Sequence, residues 1–427
     1  MQAGLNTRLK IHQILKELKT SSLSFDEVFE RRINNKKYSL RDKKLIYTVV
    51  LNSMRNYIYI DKIINKFSKK NKKINDSYFL LLSAITQLLI LNFKEFAVVH
   101  STVELAKKNQ LNSSPNYING ILRNIIRNKK KLILNLYNIE FSNLPNWFTE
   151  KIKLSEKNKK FLMKTIRAEP DLHLVFKEKI NFNVTNDNYI KTSDYSLSIK
   201  KKFLIENIKG YNHGIWWVQD FSAMLPIYLL DNIKNKDIID FCSAPGGKTF
   251  QLINKGGNVV SIDKNKQRFN ILKKNLNRLN LKCKTLMIDV LDINFENKFD
   301  LIVLDAPCSS IGTIRRNPEI FFRNKNPNFK KINLIQKKLL NKAKTLLNNN
   351  GIILYMVCSF FDEEGKNIVK DFLNENKNYK LGVFSSKKMA NIQSYFNKDG
   401  FLYVLPNQRP DSTLIDGFFA AIIKKND

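Results

Sequence analysis

Residues 299–312 read Phe-Asp-Leu-Ile-Val-Leu-Asp-Ala-Pro-Cys-Ser-Ser-Ile-Gly, an apolar run that ends in Asp305 and continues through a proline into Cys308. The run is almost wholly apolar and is bounded by turn-forming residues, which is typical of a buried parallel strand. In open α/β sheets the ligand crevice lies beyond the carboxyl ends of the strands, so Asp305 and Cys308 are expected there. A second stretch, 351–358, has the same design and ends in Cys358. Two cysteines at two strand ends of one sheet indicate thiol chemistry on a shared ligand.

From residue 215 onward, segments typical of strands alternate with segments typical of helices. We predict helices at 264–280 and 329–347, and further strands at 238–242, 258–263, 284–289 and 417–423. This alternation favours a doubly wound parallel sheet, which is the Rossmann-like class of α/β fold. We expect one α/β domain over 215–427.

The first part of the chain has few residues that interrupt helices. Before residue 210 the only glycines are Gly4 and Gly120, and no proline precedes Pro115. Apolar residues recur there at helical spacing, which predicts an all-α bundle over 1–140.

Several helices of this bundle can be located. Ser39, followed three residues later by Asp42, is typical of a helix N-terminus. Segment 78–91 is apolar on nearly all sides, so we expect it to be the central helix. Further helices are predicted at 98–108 and 116–128.

The segment 141–214 has a mixed pattern. Residues 147–154 and 156–166 have helical spacing, and residues 172–176 are typical of a strand. We expect a small α+β module that links the two larger domains.

The composition indicates a polyanionic partner. The 73 Lys and Arg residues outnumber the 38 Asp and Glu residues and give a formal net charge of +35, so nucleic acid is the obvious candidate. The alternative is that a compositional bias toward Lys and Asn merely places solvated lysines on the surface. Four cysteines in 427 residues form no disulfide framework, and the longest apolar stretch, 78–91, is too short to span a membrane. The first residues lack the apolar core of a signal peptide, so we expect a protein of the reducing cytoplasm.

A glycine-containing turn follows the strand predicted at 238–242 and reads Cys-Ser-Ala-Pro-Gly-Gly-Lys-Thr over 242–249. Paired glycines let the backbone approach a ligand closely, and the helix N-terminus that follows favours an anion. A phosphate-binding P-loop requires a glycine where Cys242 stands, and the G-x-G-x-x-G pattern of dinucleotide sites is missing. Neither of those two sites is predicted.

Three predicted strands each end in an acid, namely Asp263, Asp289 and Asp305. An acid on the second strand suits a ribose diol, one on the third accepts from an adenine amino group, and one on the fourth meets a charged amine. Ribose, adenine and an ammonium group together describe S-adenosyl-L-methionine. The alternative is that each acid only caps a helix or a turn.

The second half of the chain resembles the RNA cytosine-5 methyltransferases of the NOL1/NOP2/Sun family. The blocks that carry the resemblance are Asp263, Asp289, 218–223, 242–249, 305–309, 358–359 and 416–419. The first domain resembles the NusB-like RNA-binding fold, particularly over 117–123, and this combination is similar to that of bacterial methyltransferases of 16S ribosomal RNA. Two positions depart from the family pattern: Ser243 replaces an alanine, and Val357 stands where a threonine precedes the second cysteine.

The resemblance implies methylation of carbon 5 of a cytosine through a covalent bond between a cysteine and carbon 6. It implies that Cys358 is the nucleophile and that Cys308 assists proton removal and release of the enzyme. Asp305 would lie between cofactor and base. The residues implied to bind S-adenosyl-L-methionine are Cys242, Ser243, Ala244, Pro245, Gly246, Gly247, Lys248, Asp263, Arg268, Asp289 and Asp305.

The implied partner is 16S ribosomal RNA, free of protein or at an early stage of assembly. The target base must lie in a loop or be flipped out of its stack. The basic helical domain, the linking module, and Arg315 with Arg316 would contact phosphates. The less favoured alternative for the arginine pair is a solvated surface. The four histidines show no ligand spacing, so no metal is predicted. We expect a monomer.

Other functions remain open from the sequence. The same chemistry on transfer RNA is the nearest alternative. A non-catalytic RNA-binding factor for assembly or antitermination would predict lost cysteines or a broken cofactor loop, and both features are intact. DNA cytosine methylation is less favoured, because those enzymes use the cysteine that follows proline, here Cys308, as nucleophile.

Overall fold

The computed structural model describes residues 2–33, 38–68, 74–108, 111, 113–135, 138–181, 188–200, 204–385, 392–406, 409 and 413–426. The chain forms two compact units. One comprises Met1–Ala168 with Ile314–Asn326, and the other comprises Glu169–Thr313 with Pro327–Asp427. The division after residue 168 lies between the two domain boundaries expected near 140 and 214.

The described part of the chain begins with helices alone, and helices and strands are mixed after residue 171. The helices are α1 Gln2–Thr20, α2 Phe25–Ile33, α3 Leu40–Arg55, α4 Tyr57–Phe67, α5 Asp76–Ile85, α6 Glu95–Ala106, α7 Pro115–Arg127, α8 Lys129–Leu134, α9 Asn146–Thr149, α10 Glu156–Thr165, α11 Phe221–Tyr228, α12 Gly247–Asn254, α13 Lys266–Arg278, α14 Glu319–Phe322, α15 Phe329–Leu346 and α16 Lys366–Glu375. The strands are β1 Leu172–Phe176, β2 Tyr189–Ser193, β3 Ser196–Ile199, β4 Trp216–Val218, β5 Asp237–Phe241, β6 Asn258–Ile262, β7 Lys284–Leu286, β8 Phe299–Asp305, β9 Leu347–Val357, β10 Tyr379–Leu381, β11 Leu402–Val404 and β12 Phe418–Lys425.

The first unit is helical in its described residues, which confirms the expected helical region. Ser39 caps α3 by accepting a hydrogen bond from the backbone N–H of Asp42 at 3.1 Å, as its spacing predicted. Helix α5 is buried along its whole length and is the central helix. The helix predicted at 78–91 changes hydrogen-bonding pattern, because Thr86–Ile90 form a π-helical turn. The Thr86 hydroxyl there donates to the carbonyl of Leu82.

The helix predicted at 147–154 was too long. Helix α9 ends at Thr149, although a helix was predicted over 147–154. Ser155 has extended backbone geometry and its side chain accepts a hydrogen bond from the N–H of Asn158, so it begins α10.

The segment Ile314–Asn326 belongs to the helical unit, although it follows the Cys308 block in sequence. The side chain of Phe322 is fully buried in the core of that unit. The ammonium group of Lys19 donates to the carbonyl of Phe322 at 2.6 Å and lies 3.9 Å from the centre of the Tyr57 ring. The backbone N–H of Phe25 donates to the carboxylate of Glu319 at 3.1 Å. These contacts hold α14 against helices of the first 60 residues.

The second unit is built on a large mixed sheet with strand order β10-β12-β9-β8-β5-β6-β7, and β11 pairs with β12 outside this path. The five strands from β9 to β7 in that order pair in parallel, whereas the last strand, β12, is antiparallel to β9. Successive residues of β5 enter different cores: Ile238 packs on one face of the sheet and Ile239 on the other. Burial on both faces explains why these strands are apolar throughout.

A smaller antiparallel sheet with the order β2-β3-β1-β4 lies in the same unit. Strand β1 matches the strand predicted at 172–176. The module expected over 141–214 is therefore divided in the structure, since its helices belong to the first unit and its strands to the second. Among the described residues, no helix is both long and apolar enough to cross a membrane.

Candidate active site

The turn between β5 and α12 requires glycine. Gly246 has a φ of 111°, and a Cβ atom there would overlap the side chains of Phe250 and Leu272. Glycine is therefore required here by the positive φ and by packing against these two core side chains. Gly246 is the residue immediately before α12. The unpaired backbone N–H groups at the start of a helix favour a negatively charged or polar ligand group.

Asp240 on β5 connects this strand to the start of α12 through a side-chain hydrogen bond. Its side chain is fully buried and accepts a hydrogen bond from the hydroxyl of Thr249 at 2.6 Å. Burial raises the pKa of Asp240 to about 7. Sequence reasoning gave this residue no role, since an acid inside an apolar strand carried no signal for its partner on α12.

Asp263 follows β6 and braces the same turn. One carboxylate oxygen accepts from the N–H of Ala244 at 3.0 Å, and the other accepts from the N–H of Asn265 at 2.8 Å. The guanidinium of Arg268 donates to the carbonyl of Ala244. The structure thus brings Asp263 and Arg268 to the glycine turn, where they hold its backbone. Ribose contact by Asp263 stays a prediction.

Asp289 lies beyond β7 and forms an ion pair with Lys264 at 2.8 Å. The hydrogen bond from Lys264 lowers the pKa of Asp289. Three apolar side chains next to it are exposed: Met287, Ile288 and Leu291 are 52%, 39% and 39% exposed. Exposed apolar side chains can pack against a flat heterocycle, and a neighbouring carboxylate can accept a hydrogen bond from the amino group of that heterocycle.

Asp305 ends β8 as predicted and pairs with Lys248 of the glycine turn. Their Oδ2 and Nζ atoms are 2.7 Å apart, and Nζ lies 5.3 Å from the centre of the Phe418 ring. The Lys248 and Asp305 side chains are 12% and 27% exposed, so this pair remains open to a ligand. It presents a hydrogen-bond donor and an acceptor at the same point.

The two predicted cysteines meet at the ends of adjacent parallel strands. The Sγ atoms of Cys308 and Cys358 are 3.3 Å apart, and the hydroxyl oxygen of Ser310 lies 3.5 Å from the Cys358 sulfur. Both cysteines are free thiols and are partly exposed.

The paired thiols have opposite acidities. The hydrogen bond from Cys308 lowers the pKa of Cys358 against the effect of burial, and Ser310 and Lys248 act in the same direction as Cys308. The pKa of Cys308 is raised, because its proton is held by Cys358 and because it is buried beside that negative charge. The arrangement therefore favours the thiolate at Cys358 over a thiolate at Cys308.

The two departures from the family pattern are accommodated without disturbing the thiols. The Ser243 hydroxyl donates to the carbonyl of Ile262 at 3.1 Å and accepts from Ser261 at 2.6 Å. Val357 is fully buried in the core below β9.

One residue near the thiols was missed by the sequence analysis. Glu364 is fully buried in the turn before α16, and its carboxylate accepts hydrogen bonds from Ser309 and Ser359. Its only signal was an acid shortly after the second cysteine, which did not indicate a partner next to the first.

The structure separates the two arginines that follow the first cysteine block. Arg315 is 1% exposed inside the helical unit, so its side chain is not available to a phosphate in solution, and that expectation is corrected. Arg316 is exposed, and its contact with RNA stays a prediction. Among the described residues, no cluster of three or more His, Cys, Asp or Glu side chains is placed to hold a metal ion.

Comparison with known proteins agrees with this geometry. Residues 227–424 match the family described as 16S rRNA methyltransferase RsmB/F, and residues 5–127 match the NusB family. Over residues 227–424 the chain is similar to the RsmB/F methyltransferases. The matched NusB region lies in the helical unit, and the RsmB/F region contains the glycine turn and both cysteines.

Similar proteins of known name extend over nearly the whole chain. "Probable ribosomal RNA small subunit methyltransferase B" of Coxiella burnetii is 27% identical over 406 residues, covering 87% of this chain and 93% of that protein. "Ribosomal RNA small subunit methyltransferase B" of Proteus mirabilis is 27% identical and covers 96% of this chain and 100% of that protein. Both relatives therefore share the order of the two regions.

Solved structures share the fold. The crystal structure of PH0851 aligns with a TM-score of 0.69 at 20% identity and covers 94% of each chain. A methyltransferase homologue from Pyrococcus horikoshii aligns with a TM-score of 0.52 at 22% identity, covering 66% of this chain and 95% of that one. These likenesses show a shared fold.

Proposed function

We propose that this protein transfers a methyl group from S-adenosyl-L-methionine to carbon 5 of a cytosine in small-subunit ribosomal RNA. The observation that carries the proposal is the pair of thiols 3.3 Å apart, one with a lowered pKa, beside the Lys248–Asp305 pair. A thiolate next to a thiol suits addition to a ring carbon followed by elimination. The names of the relatives support small-subunit ribosomal RNA as the substrate.

The residues around the glycine turn fit S-adenosyl-L-methionine. The turn at Gly246 leaves no room for a side chain, and the patch of Met287, Ile288 and Leu291 beside Asp289 suits an adenine ring. Asp263 and Asp305 would face the ribose and the methionine ammonium group. When bound there, the cofactor supplies the electrophilic methyl group.

Cys358 begins the reaction by adding to carbon 6 of the cytosine as a thiolate. Carbon 5 of the free base is a poor nucleophile, and the new bond at carbon 6 makes it enamine-like. Lys248 and Asp305 present a donor and an acceptor that suit the polar edge of the ring. This hydrogen bonding would orient the base toward the sulfur.

The chemistry of Cys308 changes once Cys358 has reacted. The pKa of Cys308 is raised by its hydrogen bond to Cys358, by burial and by the charge of that thiolate. A bond between the Cys358 sulfur and carbon 6 removes that charge, so the pKa of Cys308 falls. Cys308 then loses its proton to solvent. Once carbon 5 has taken the methyl group from the sulfonium, whose sulfur leaves as a neutral thioether, the Cys308 thiolate accepts the proton from carbon 5. The electron pair of that C–H bond re-forms the C5–C6 double bond and expels Cys358 as a thiolate, which releases the methylated base.

Transfer RNA is the second candidate substrate, since the same thiol pair would act on any accessible cytosine. The relatives' names favour ribosomal RNA. The non-catalytic alternative is disfavoured by the retained thiol pair, the lowered pKa of Cys358 and the intact glycine turn.

Methyl transfer from labelled S-adenosyl-L-methionine tests the proposal. Wild-type protein is incubated in parallel with protein-free 16S ribosomal RNA and with a transfer RNA pool, and the product is mapped by bisulfite sequencing. We expect 5-methylcytosine at one position in 16S RNA and no transfer by Cys358→Ala. Transfer only to transfer RNA would overturn the substrate, and tight RNA binding without any transfer would overturn the activity.

A further inference from the structure

Glu364 connects the two loops that carry the thiols. It is fully buried, and its Oε1 atom accepts from the backbone N–H of Ser309 at 2.6 Å. Its Oε2 atom accepts from the hydroxyl of Ser309 at 2.5 Å and from the hydroxyl of Ser359 at 2.6 Å. Ser309 follows Cys308 directly and Ser359 follows Cys358 directly, so one carboxylate holds the residue after each cysteine.

The directions of these hydrogen bonds are fixed by the neighbouring backbone. The hydroxyl oxygen of Ser309 accepts from the N–H of Ile311 at 3.4 Å, and that of Ser359 accepts from the N–H of Phe361 at 3.2 Å. Each serine therefore uses its own proton toward Glu364. The two Glu364 oxygens accept from three donors, as a carboxylate does. A glutamine at this position would replace one of those oxygens with an NH₂ group, which donates and cannot accept from the serine that it faces.

Glu364 is itself held from the sheet. The phenol of Tyr355, which is fully buried on β9, donates to the Glu364 carbonyl at 2.5 Å. This contact ties the turn before α16 to the strand that ends next to Cys358. The carboxylate thus has a rigid base from which to hold the Cys308 loop.

We propose that Glu364 is a positioning residue that keeps the Cys308 and Cys358 sulfurs within hydrogen-bond distance. The relevance of this role to methyl transfer rests on the proposed function, whereas the effect on thiol geometry does not. Glu364 is buried and engaged by the serines, so it acts through them and does not touch the reacting atoms. Its removal lets the loop after β8 and the loop after β9 move independently. The hydrogen bond that lowers the pKa of Cys358 then weakens.

The test measures the thiols without RNA. Diamide oxidises the two thiols to a disulfide, and the rate of that reaction reports how often the sulfurs meet. We expect Glu364→Gln to slow formation of the Cys308–Cys358 disulfide and alkylation of Cys358 at neutral pH by about tenfold each, the effect of a one-unit rise in the pKa of Cys358 on its thiolate fraction. Glu364→Asp, which keeps the charge, should recover part of both rates.

A matched control is Asp362→Asn, which removes an exposed carboxylate two residues away and should leave both rates unchanged. Ser309→Ala and Ser359→Ala keep Glu364 in place and remove one donor each. If Glu364→Gln does not fold, each of these should still slow disulfide formation in protein with an unchanged Tm. Wild-type rates in folded Glu364→Gln, or in both serine variants, would overturn the proposal.

Turnover distinguishes this inference from the proposed function. With an RNA substrate that wild type methylates, Glu364→Gln should lower kcat about tenfold or more and leave KM for S-adenosyl-L-methionine unchanged. If wild type methylates no RNA, the proposed function fails. The thiol rates still decide the role of Glu364.

Discussion

At the scale of single residues, protonation in the site is set by neighbours within hydrogen-bond distance. Cys358 has a lowered pKa because Cys308 donates to it, and Lys248 adds a positive charge nearby. Lys248 also pairs with Asp305, so one ammonium group serves both the carboxylate and the thiolate. Electrostatic effects of this kind are stronger here than in bulk water, because the sulfurs and the carboxylate are only partly exposed.

Lys248→Met should reduce the reactivity of Cys358. Loss of the cation removes one of the causes that lower the thiol pKa, and Asp305 then repels the thiolate without compensation. We expect alkylation of Cys358 at neutral pH to slow by about threefold to tenfold, measured by mass spectrometry of the modified peptide.

The matched control for that variant is Lys264→Met, which breaks an exposed ion pair with Asp289. It should leave alkylation of Cys358 unchanged. Equal slowing by the two variants would show that Lys248 has no specific effect on the thiol.

Asp240→Asn should change the pH dependence of stability. The pKa of Asp240 is about 7 in the folded protein and near 3.8 when unfolded, so the folded state binds the extra proton between those values. Wild-type stability therefore falls as the pH rises from about 4 to about 7, by at most about 4 kcal/mol. The asparagine variant can still accept from Thr249 and should lack that fall. Calorimetry between about pH 4 and about pH 7 should show that the Tm of Asp240→Asn rises relative to that of wild type as the pH rises. A Tm difference that does not change with pH would contradict this prediction.

At the scale of elements, the site is made where five parallel strands end and a glycine turn begins a helix. Strands β8 and β9 are adjacent, so the residues that follow them meet at one edge of the sheet. The turn before α12 places Lys248 on the same edge. Each chemical group is thus delivered by the end of a different element, as is usual for α/β sheets.

Gly246→Ala should damage the cofactor turn. An added Cβ would overlap Phe250 and Leu272, and the φ of 111° is unfavourable for alanine. We expect affinity for S-adenosyl-L-methionine, measured by calorimetric titration, to fall at least about tenfold, which corresponds to about 1.4 kcal/mol.

The control is Gly120→Ala in α7, where no heavy atom among the described residues lies within 4 Å of the added Cβ. A helix interior favours alanine over glycine by about 1 kcal/mol, so this variant should be stabilised and keep its cofactor affinity. If both alanine variants bound the cofactor as wild type does, the tight turn would not be part of the site.

Sequence reasoning predicted the sheet well for identifiable physical reasons. Strand β8 is buried on both faces and so reads as a continuous apolar run that ends at Asp305, where the structure ends it. The π-helical turn after α5 was not predicted. Its first residue, Thr86, forms a hydrogen bond with Ser53, a tertiary contact that the local sequence does not reveal. Local sequence carries periodicity but no partner across the fold.

The same distinction applies to the site. Cys308 and Cys358 were predicted to share an edge of the sheet, because each follows an apolar strand. The role of Glu364 was missed, since its partner Ser309 is 55 residues earlier. Arg315 and Arg316 look alike in sequence, and only the inclusion of Ile314–Asn326 in the helical unit separates the buried one from the exposed one.

At the scale of the whole molecule, the excess of 35 positive charges is the main feature available to a polyanion. A protein that neutralises several phosphates releases their counterions, so its affinity depends steeply on salt. We expect the affinity for 16S ribosomal RNA to fall by about 10³ or more between about 50 and about 200 mM salt, measured by filter binding. Cofactor affinity measured at the same salt concentrations should change less than about threefold. A shallow salt dependence for RNA would favour the alternative that most lysines only solvate the surface.

The most direct test of the account is the covalent state of the RNA after reaction, analysed on a denaturing gel. Wild type, Cys308→Ala, Cys358→Ala and the double variant are each incubated with S-adenosyl-L-methionine and 16S ribosomal RNA. We predict that Cys308→Ala accumulates a protein–RNA adduct because release fails, and that the two proteins lacking Cys358 form none. An adduct with Cys358→Ala, or none with any of the four proteins, would contradict the assignment of Cys358 as nucleophile and Cys308 as the releasing residue.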